Sequence, residues 1–110
     1  DKVIEIITRL PFDNPKDPFY QKIESLFSKQ GKSTFDSYSL PMMVLRFKQA
    51  IGRAQRRPEQ RSAILLMDNR PLVKSYGKLF IKEVSQEVTL RHAPFKQIKE
   101  DIQEFLEKEC

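Results

Sequence analysis

The 110 residues predict an α/β domain with a mainly parallel sheet. Three features carry that expectation. Val3 to Leu10 is nearly continuously apolar and rich in isoleucine, and Ala63 to Met67 ("AILLM") is a second short apolar run bounded by charge. Both have the pattern of buried strands, the first covered on both faces of the sheet. Between and after them, apolar residues recur every three or four positions, as on amphipathic helices.

The elements follow in order. After the first strand, "PFDNPKDP" breaks the chain three times with proline. From Pro18, the residues Phe19, Ile23, Leu26 and Phe27 mark a helix, and Gly31 stands where it would stop. Lys32 to Ser39 is polar and reads as a loop. Pro41 suits the first turn of a long helix that ends near Arg57, just before Pro58. The AILLM strand comes next. Leu72, Val73, Tyr76, Leu79 and Phe80 then mark one face of a third helix, Val88 to Leu90 a short strand, and Phe95, Ile98, Ile102, Phe105 and Leu106 an amphipathic closing helix. There is no internal repeat.

Length and composition predict one compact domain, 1–110, able to bury a core without staples. Twenty Lys and Arg against fifteen Asp and Glu give a net charge of +5, which favours a polyanionic partner without proving one. The single cysteine, Cys110, allows neither a disulfide framework nor a thiolate metal cluster within these residues, and a reducing, cytoplasmic setting is the default expectation. No apolar run approaches the roughly 20 residues that cross a bilayer, and the start lacks a signal peptide's apolar stretch, so no membrane partner is expected. Asp1 stands directly ahead of the first strand with no initiator Met, which predicts a piece of a longer chain.

The chemistry concentrates on the helix from Pro41. On a wheel of 100° per residue, Met43, Val44, Phe47, Ala50, Ile51 and Ala54 share one side, while Gln49, Gly52, Arg53 and Arg56 line the other at i, i+3, i+4 and i+7. The stripe is roughly 10 Å long at about 1.5 Å per residue, comparable with a nucleotide's polyphosphate. Gly52 costs about 1 kcal/mol relative to Ala inside a helix, so its place in the stripe suggests that something approaches the backbone closely. Two guanidiniums, planar and permanently charged, suit a phosphate whose charge is spread over several oxygens. A glutamine beside them can orient a water or a terminal phosphate oxygen. On spacing alone, a solvated basic face or a nonspecific nucleic-acid contact is the favoured explanation of the pattern.

The order of residues adds a resemblance. "QAIGRAQR" (Gln49 to Arg56) fits the Q-x-x-G-R-x-x-R pattern of helicase motif VI and most closely resembles the DinG branch of the XPD-like superfamily 2 DNA helicases. "TRLPFDNPKDP" resembles the family's LPF-x-x-P-x-D-P segment after motif V, and "LP" at Leu40 and Pro41 opens the motif VI helix. "ILLMDNR" with "KSYGKLF" resembles its strand ending in D-x-R and the following Y-G-x-x-F helix. The resemblance implies the C-terminal part of the second motor domain, RecA-like, of the P-loop NTPase type, with three layers. It implies ATP with Mg²⁺ in a cleft between two motor domains, held mainly by the missing first domain in cis, and DNA as the parent's partner. Gln49 and Arg53 would approach the terminal phosphate, Gly52 would admit it, and Arg56 would be the arginine finger. The chain departs from the family at Ala50 and Gln55, where glycine and a bulky aliphatic are common; both lie off the stripe.

Other signals are weaker. "KQGKS" (Lys29 to Ser33) mimics a phosphate-binding loop, but Leu26 stands where its first glycine is required and a helix precedes it. Asp68 could coordinate magnesium, yet Arg70 two residues on offers an ion-pair partner. His92 has no ligand at metal spacing, and Tyr76 falls in an apolar stripe. With no Walker A or Walker B motif, the fragment alone is expected to bind no cofactor and to hydrolyse no ATP. A passive nucleic-acid module is the competing reading, with Arg46, Arg53, Arg56, Arg57 and Arg61 on phosphates, and a purely structural domain is a third. A cut through the motor domain also predicts an exposed sheet edge and a possible fragment dimer.

Overall fold

A computed structural model describes residues 2–55, 57 and 59–108. Among these the chain forms two strands and five helices, an α/β arrangement. Strand β1 spans Lys2–Ile7 and β2 spans Arg61–Leu66. They pair in parallel, with Val3 opposite Ser62, Glu5 opposite Ile64 and Ile7 opposite Leu66. Parallel pairing needs a long crossover, and the chain supplies it with helices α1 (Pro18–Lys29) and α2 (Leu40–Ala54).

Helix α1 starts where its sequence says it should. Asp17 accepts a hydrogen bond from the Phe19 N–H at 2.8 Å, and Pro18 fills the first turn. The helix ends when Gly31 takes φ 70°, the Gly31 N–H donating to Ser28 O at 3.0 Å and the Lys32 N–H to Phe27 O at 2.9 Å. That pair of bonds is a Schellman closure. KQGKS is thus a helix stop, as its missing first glycine required.

The expected loop over Lys32 to Ser39 is instead largely a π-helical turn, Phe35–Ser39, which runs straight into α2. Its wide winding sends successive aromatics to different neighbours. Phe35 joins Phe12 and Tyr76, with centroids 5.7 and 5.4 Å away, while Tyr38 faces Tyr20 and Phe27, each at 6.4 Å. Tyr20 Oη and the buried Ser39 Oγ lie 2.9 Å apart.

Helix α2 is the spine of the core. All six residues of its expected core face are buried, together with Leu40. Leu40, Met43, Val44, Phe47 and Ile51 pack with Leu10, with Phe80 and Val84 of helix α4 (Gly77–Ser85), and with Ile7, Ile64 and Leu66 from the sheet. Phe47 meets Phe80 edge-on at 5.0 Å.

The remainder corrects several expectations. Neither strand is covered on both faces: every β1 residue is at least partly exposed, Ile6 at 58%, because among the described residues each strand has one neighbour and α2 lies on one side. The first strand stops at Ile7 rather than Leu10, and α2 ends at Ala54 rather than near Arg57. The third helix divides into α3 (Arg70–Val73) and α4, because Lys74 is extended (ψ 153°) and α4 begins only at Gly77. A Cβ at Gly77 would lie 1.9 Å from the Pro71 carbonyl oxygen, so the break is built on a close backbone approach. Leu72, Val73 and Leu79, expected on its inner face, are exposed. Val88 to Leu90 forms no strand; the Val88 N–H bonds back to Val84 O at 3.1 Å, winding the end of α4 onward.

Helix α5 (Phe95–Glu107) forms as expected but buries no residue fully. Lys2 Nζ closes it, donating to Phe105 O at 2.7 Å and Leu106 O at 3.0 Å and lying 5.7 Å from the Phe105 ring. The radius of gyration is 16.5 Å, against about 13 Å for a compact domain of this length.

Candidate functional site

A helix with one face in the core must offer the opposite face to something else. On α2 that face carries Gln49, Gly52 and Arg53, all exposed. A Cβ at Gly52 would meet nothing within 4 Å, so the notch in the stripe opens outward. Arg53 lies in the last turn, where a cation also complements the helix dipole. Gln49, Gly52 and Arg53 thus share an open face. Arg56 and Pro58 lie outside the described residues.

The turn that joins α2 to β2 is short and tied. Ser62 Oγ donates to Ala54 O at 2.7 Å, and the Gln55 N–H to Ile51 O at 3.1 Å. The Gln55 side-chain amide donates to Arg57 O at 2.8 Å and also to Gln60 O. The departure at Gln55 therefore has a structural use, since an aliphatic side chain could not bridge the turn.

A second cluster sits at the C-terminal ends of both strands. Asp68, just past β2, accepts from the Leu10 N–H at 2.9 Å, from the Arg70 N–H at 3.0 Å and from the Arg70 guanidinium at 2.5 Å. Arg70 foremost, then these backbone donors, hold the Asp68 carboxyl well below the usual carboxylate range, against a burial that pushes it up. The same pair raises Arg70 further. Arg70 also lies 5.3 Å from the centre of the Phe12 ring, and Phe12 meets Tyr76 edge-on at 5.7 Å. Burial pushes the Tyr76 phenol up, the mark of a packed tyrosine rather than an open stacking platform. Asp68 is thus an ion-pair residue, as Arg70 suggested.

Arg46 belongs only to the competing nucleic-acid reading. Named only as a possible phosphate contact, it lies 3.0 Å from Asp13 Oδ1 and donates to Pro11 O at 3.3 Å. Its place on the stripe face, one turn before Gln49, was readable, but its partner Asp13, 33 residues away, was not. Arg61 is exposed at the start of β2, and Arg57 is exposed in the turn. His92 is exposed, and among the described residues no group of three or more His, Cys, Asp or Glu could hold a metal ion. No described helix is long and apolar enough to cross a membrane.

Comparison with known proteins gives the family. Residues 3–87 match the helicase C-terminal domain family. The chain is 40% identical over 76 residues to the 3'-5' exonuclease DinG of Bacillus subtilis, covering 69% of this chain and 8% of that protein. It is 34% identical over 76 residues to the ATP-dependent DNA helicase YoaA of Escherichia coli, covering 69% of this chain and 12% of the other. With a 3'-5' exonuclease DinG of Staphylococcus aureus it shares 36% identity over 100 residues, 91% of this chain and 10% of that one. The matches thus take in about a tenth of the length of these relatives. No solved structure matches the chain. The chain belongs to the helicase C-terminal domain family, as a DinG-like member.

Proposed function

We propose that this chain is the C-terminal part of the second, RecA-like motor domain of an ATP-dependent DNA helicase, and that α2 presents its motif VI. The observation that carries the reading is the division of α2. Seven of its residues are buried in the core, and the opposite face, with Gln49, Gly52 and Arg53, is open. Gln49 and Arg53 approach the terminal phosphate of ATP, Gly52 lets it near the helix backbone, and Arg56 acts as the arginine finger. The nucleotide arrives with its Mg²⁺ on the first motor domain, since these residues contain neither a Walker A nor a Walker B motif. The fragment alone is then inactive, and the parent, a cytoplasmic protein, couples hydrolysis to movement on DNA. The unpaired sides of β1 and β2 would accept the rest of the parent's sheet, completing three layers, or a second copy in an isolated fragment dimer.

The physical logic is electrostatic. Charge develops on the transferred phosphoryl oxygens, and a fixed guanidinium stabilises it without reorganising at the moment of reaction. A finger of this kind contributes about 10³ to 10⁵ in rate, roughly 4 to 7 kcal/mol of barrier. The competing reading, a passive basic module, loses one of its five arginines, because Arg46 is engaged with Asp13 and Pro11.

The test is Arg56→Ala in the full-length helicase. DNA-stimulated ATP turnover is expected to fall by about 10³ or more with DNA affinity changed less than about twofold. If affinity falls and turnover per bound enzyme does not, the passive module is correct.

A further inference from the structure

Arg46 lies within about 20° of Arg53 on the wheel of α2, two turns nearer the N-terminus, so it shares the stripe's face. Its side chain is nevertheless only 33% exposed, because it turns to Asp13 and to the Pro11 carbonyl. Both belong to the proline-rich segment that leaves β1. That segment is gripped from its other flank as well: Asp68 holds the Leu10 N–H and Arg70 covers the Phe12 ring. Four consecutive residues, Leu10 to Asp13, are therefore fixed by α2 on one side and by the end of β2 on the other. Pro11 restricts them further by locking its own φ.

The buried face of α2 cannot supply this placement by itself. It relies on aliphatic and aromatic packing with small Ala50 and Ala54 near one end, and hydrophobic attraction has little directional preference along a helix. A charge-assisted bond has direction. We infer that Arg46 is a positioning residue: by gripping Pro11 and Asp13 it sets the axial position and rotation of α2 against the strand ends, and so the places of Gln49 and Arg53. It is not itself a phosphate ligand. The inference rests on reading the stripe as a phosphate interface.

Asp13 shows what losing Arg46 would do. Its side chain is only 20% exposed, and its Oδ2 is buried with no hydrogen-bond partner among the described residues. Without Arg46 the carboxylate would be left charged and poorly solvated, and it would pull the segment outward to reach water. A displacement of about 1 Å at a site holding reacting groups can cost on the order of 10² in rate.

The experiment uses the full-length helicase with Arg46→Ala, Arg46→Lys, the exchanged pair Arg46→Asp with Asp13→Arg, and Arg53→Ala as a reference. Turnover number, KM for ATP, single-stranded DNA affinity and the unfolding midpoint are measured for each. Arg46→Ala is expected to lower turnover at saturating ATP by about 30- to 100-fold, with DNA affinity held within about twofold. Arg46→Lys should fall between it and the parent, since lysine keeps the charge but not the fork. The exchanged pair should recover at least about tenfold of the loss. If Arg46→Ala does not fold, the lysine variant and the exchanged pair still decide. Turnover within about twofold of the parent, a fall in DNA affinity that matches the fall in turnover, or no recovery in the exchanged pair overturns the inference. If Arg53→Ala leaves turnover intact, the phosphate reading of the stripe fails instead; if Arg53→Ala abolishes it and Arg46→Ala does not, only the positioning role fails.

Discussion

Arg70 and Arg53 carry the same side chain in opposite settings. Arg70 opens α3 at the end of β2, where it binds Asp68 at 2.5 Å, covers Phe12, and keeps 28% of its side chain exposed. Arg53 sits in the last turn of α2 on the face turned away from the core. The first cluster is partly buried at the strand ends, and the second lies on an exposed helix face. Neighbouring residues make the difference: Asp68 stands two positions before Arg70, whereas the residues that flank Arg53 on its stripe are Gln49 and Gly52, neither of them acidic. An arginine held by a buried carboxylate stabilises the fold, while Arg53 stands exposed on the face that we propose meets a ligand's phosphate.

Exchanging the loss between the two regions is the strongest way to break this contrast. In the full-length helicase Arg53→Ala should lower ATP turnover by about 10³, near 4 kcal/mol of barrier, while moving stability by no more than about 0.5 kcal/mol. Arg70→Ala should do the reverse, costing about 2 to 4 kcal/mol of stability by leaving Asp68 charged, with its side chain only 8% exposed and its main partner gone. Turnover and thermal unfolding measured on both variants check the crossing. Equal losses in both assays for both residues would erase the distinction.

Gly77 sharpens the inward side. Gly77→Ala places a methyl carbon 1.9 Å from the Pro71 carbonyl oxygen, and a backbone atom cannot swing away as a side chain could. The α3–α4 corner must open, at an expected cost of about 3 kcal/mol or more, read as a lowered urea midpoint.

Acid should expose the same cluster. Asp68 is held below the ordinary carboxylate range, so the stability it contributes is complete above its unfolded value of about 3.9 and is lost as pH falls through the lower folded value. Asp68→Asn should flatten that part of the acid unfolding profile and cost about 1 to 2 kcal/mol at neutral pH. An unchanged acid limb would show that Asp68 is not the titrating group.

How much of this was readable in the sequence depends on distance along the chain. The core side of α2 followed from its 3.6-residue period, and the Asp68–Arg70 pair from residues two apart at a strand end. Gly31 was placed correctly as a helix stop because its neighbours close the cap locally. What failed was set by contacts that no periodicity encodes. Arg46 finds Asp13 from 33 residues away, and the third helix breaks at Lys74 and resumes at Gly77, whose backbone lies against the Pro71 carbonyl. Full burial of the strands needed neighbours beyond the two that pair here. Gln49, Gly52 and Arg53 lie together on the outward face as their spacing required, and spacing alone could not say whether anything binds there.

Gly52 gives the smallest effect and the cleanest sign. Nothing lies within 4 Å of its absent Cβ, its backbone is helical, and it stands two residues before the end of α2, so Gly52→Ala meets no steric objection among the described residues. Helix propensity alone then predicts a gain of up to about 1 kcal/mol. If the stripe is only a solvated face, a more stable helix should work as well as before. If a phosphate approaches the backbone at this point, the added methyl occupies the approach, and KM for ATP rises in the full-length helicase even as the unfolding midpoint rises. A gain in stability with a loss in nucleotide use can arise only if the gap at Gly52 is kept open for something outside the chain; a gain in stability with unchanged KM removes Gly52 from the site.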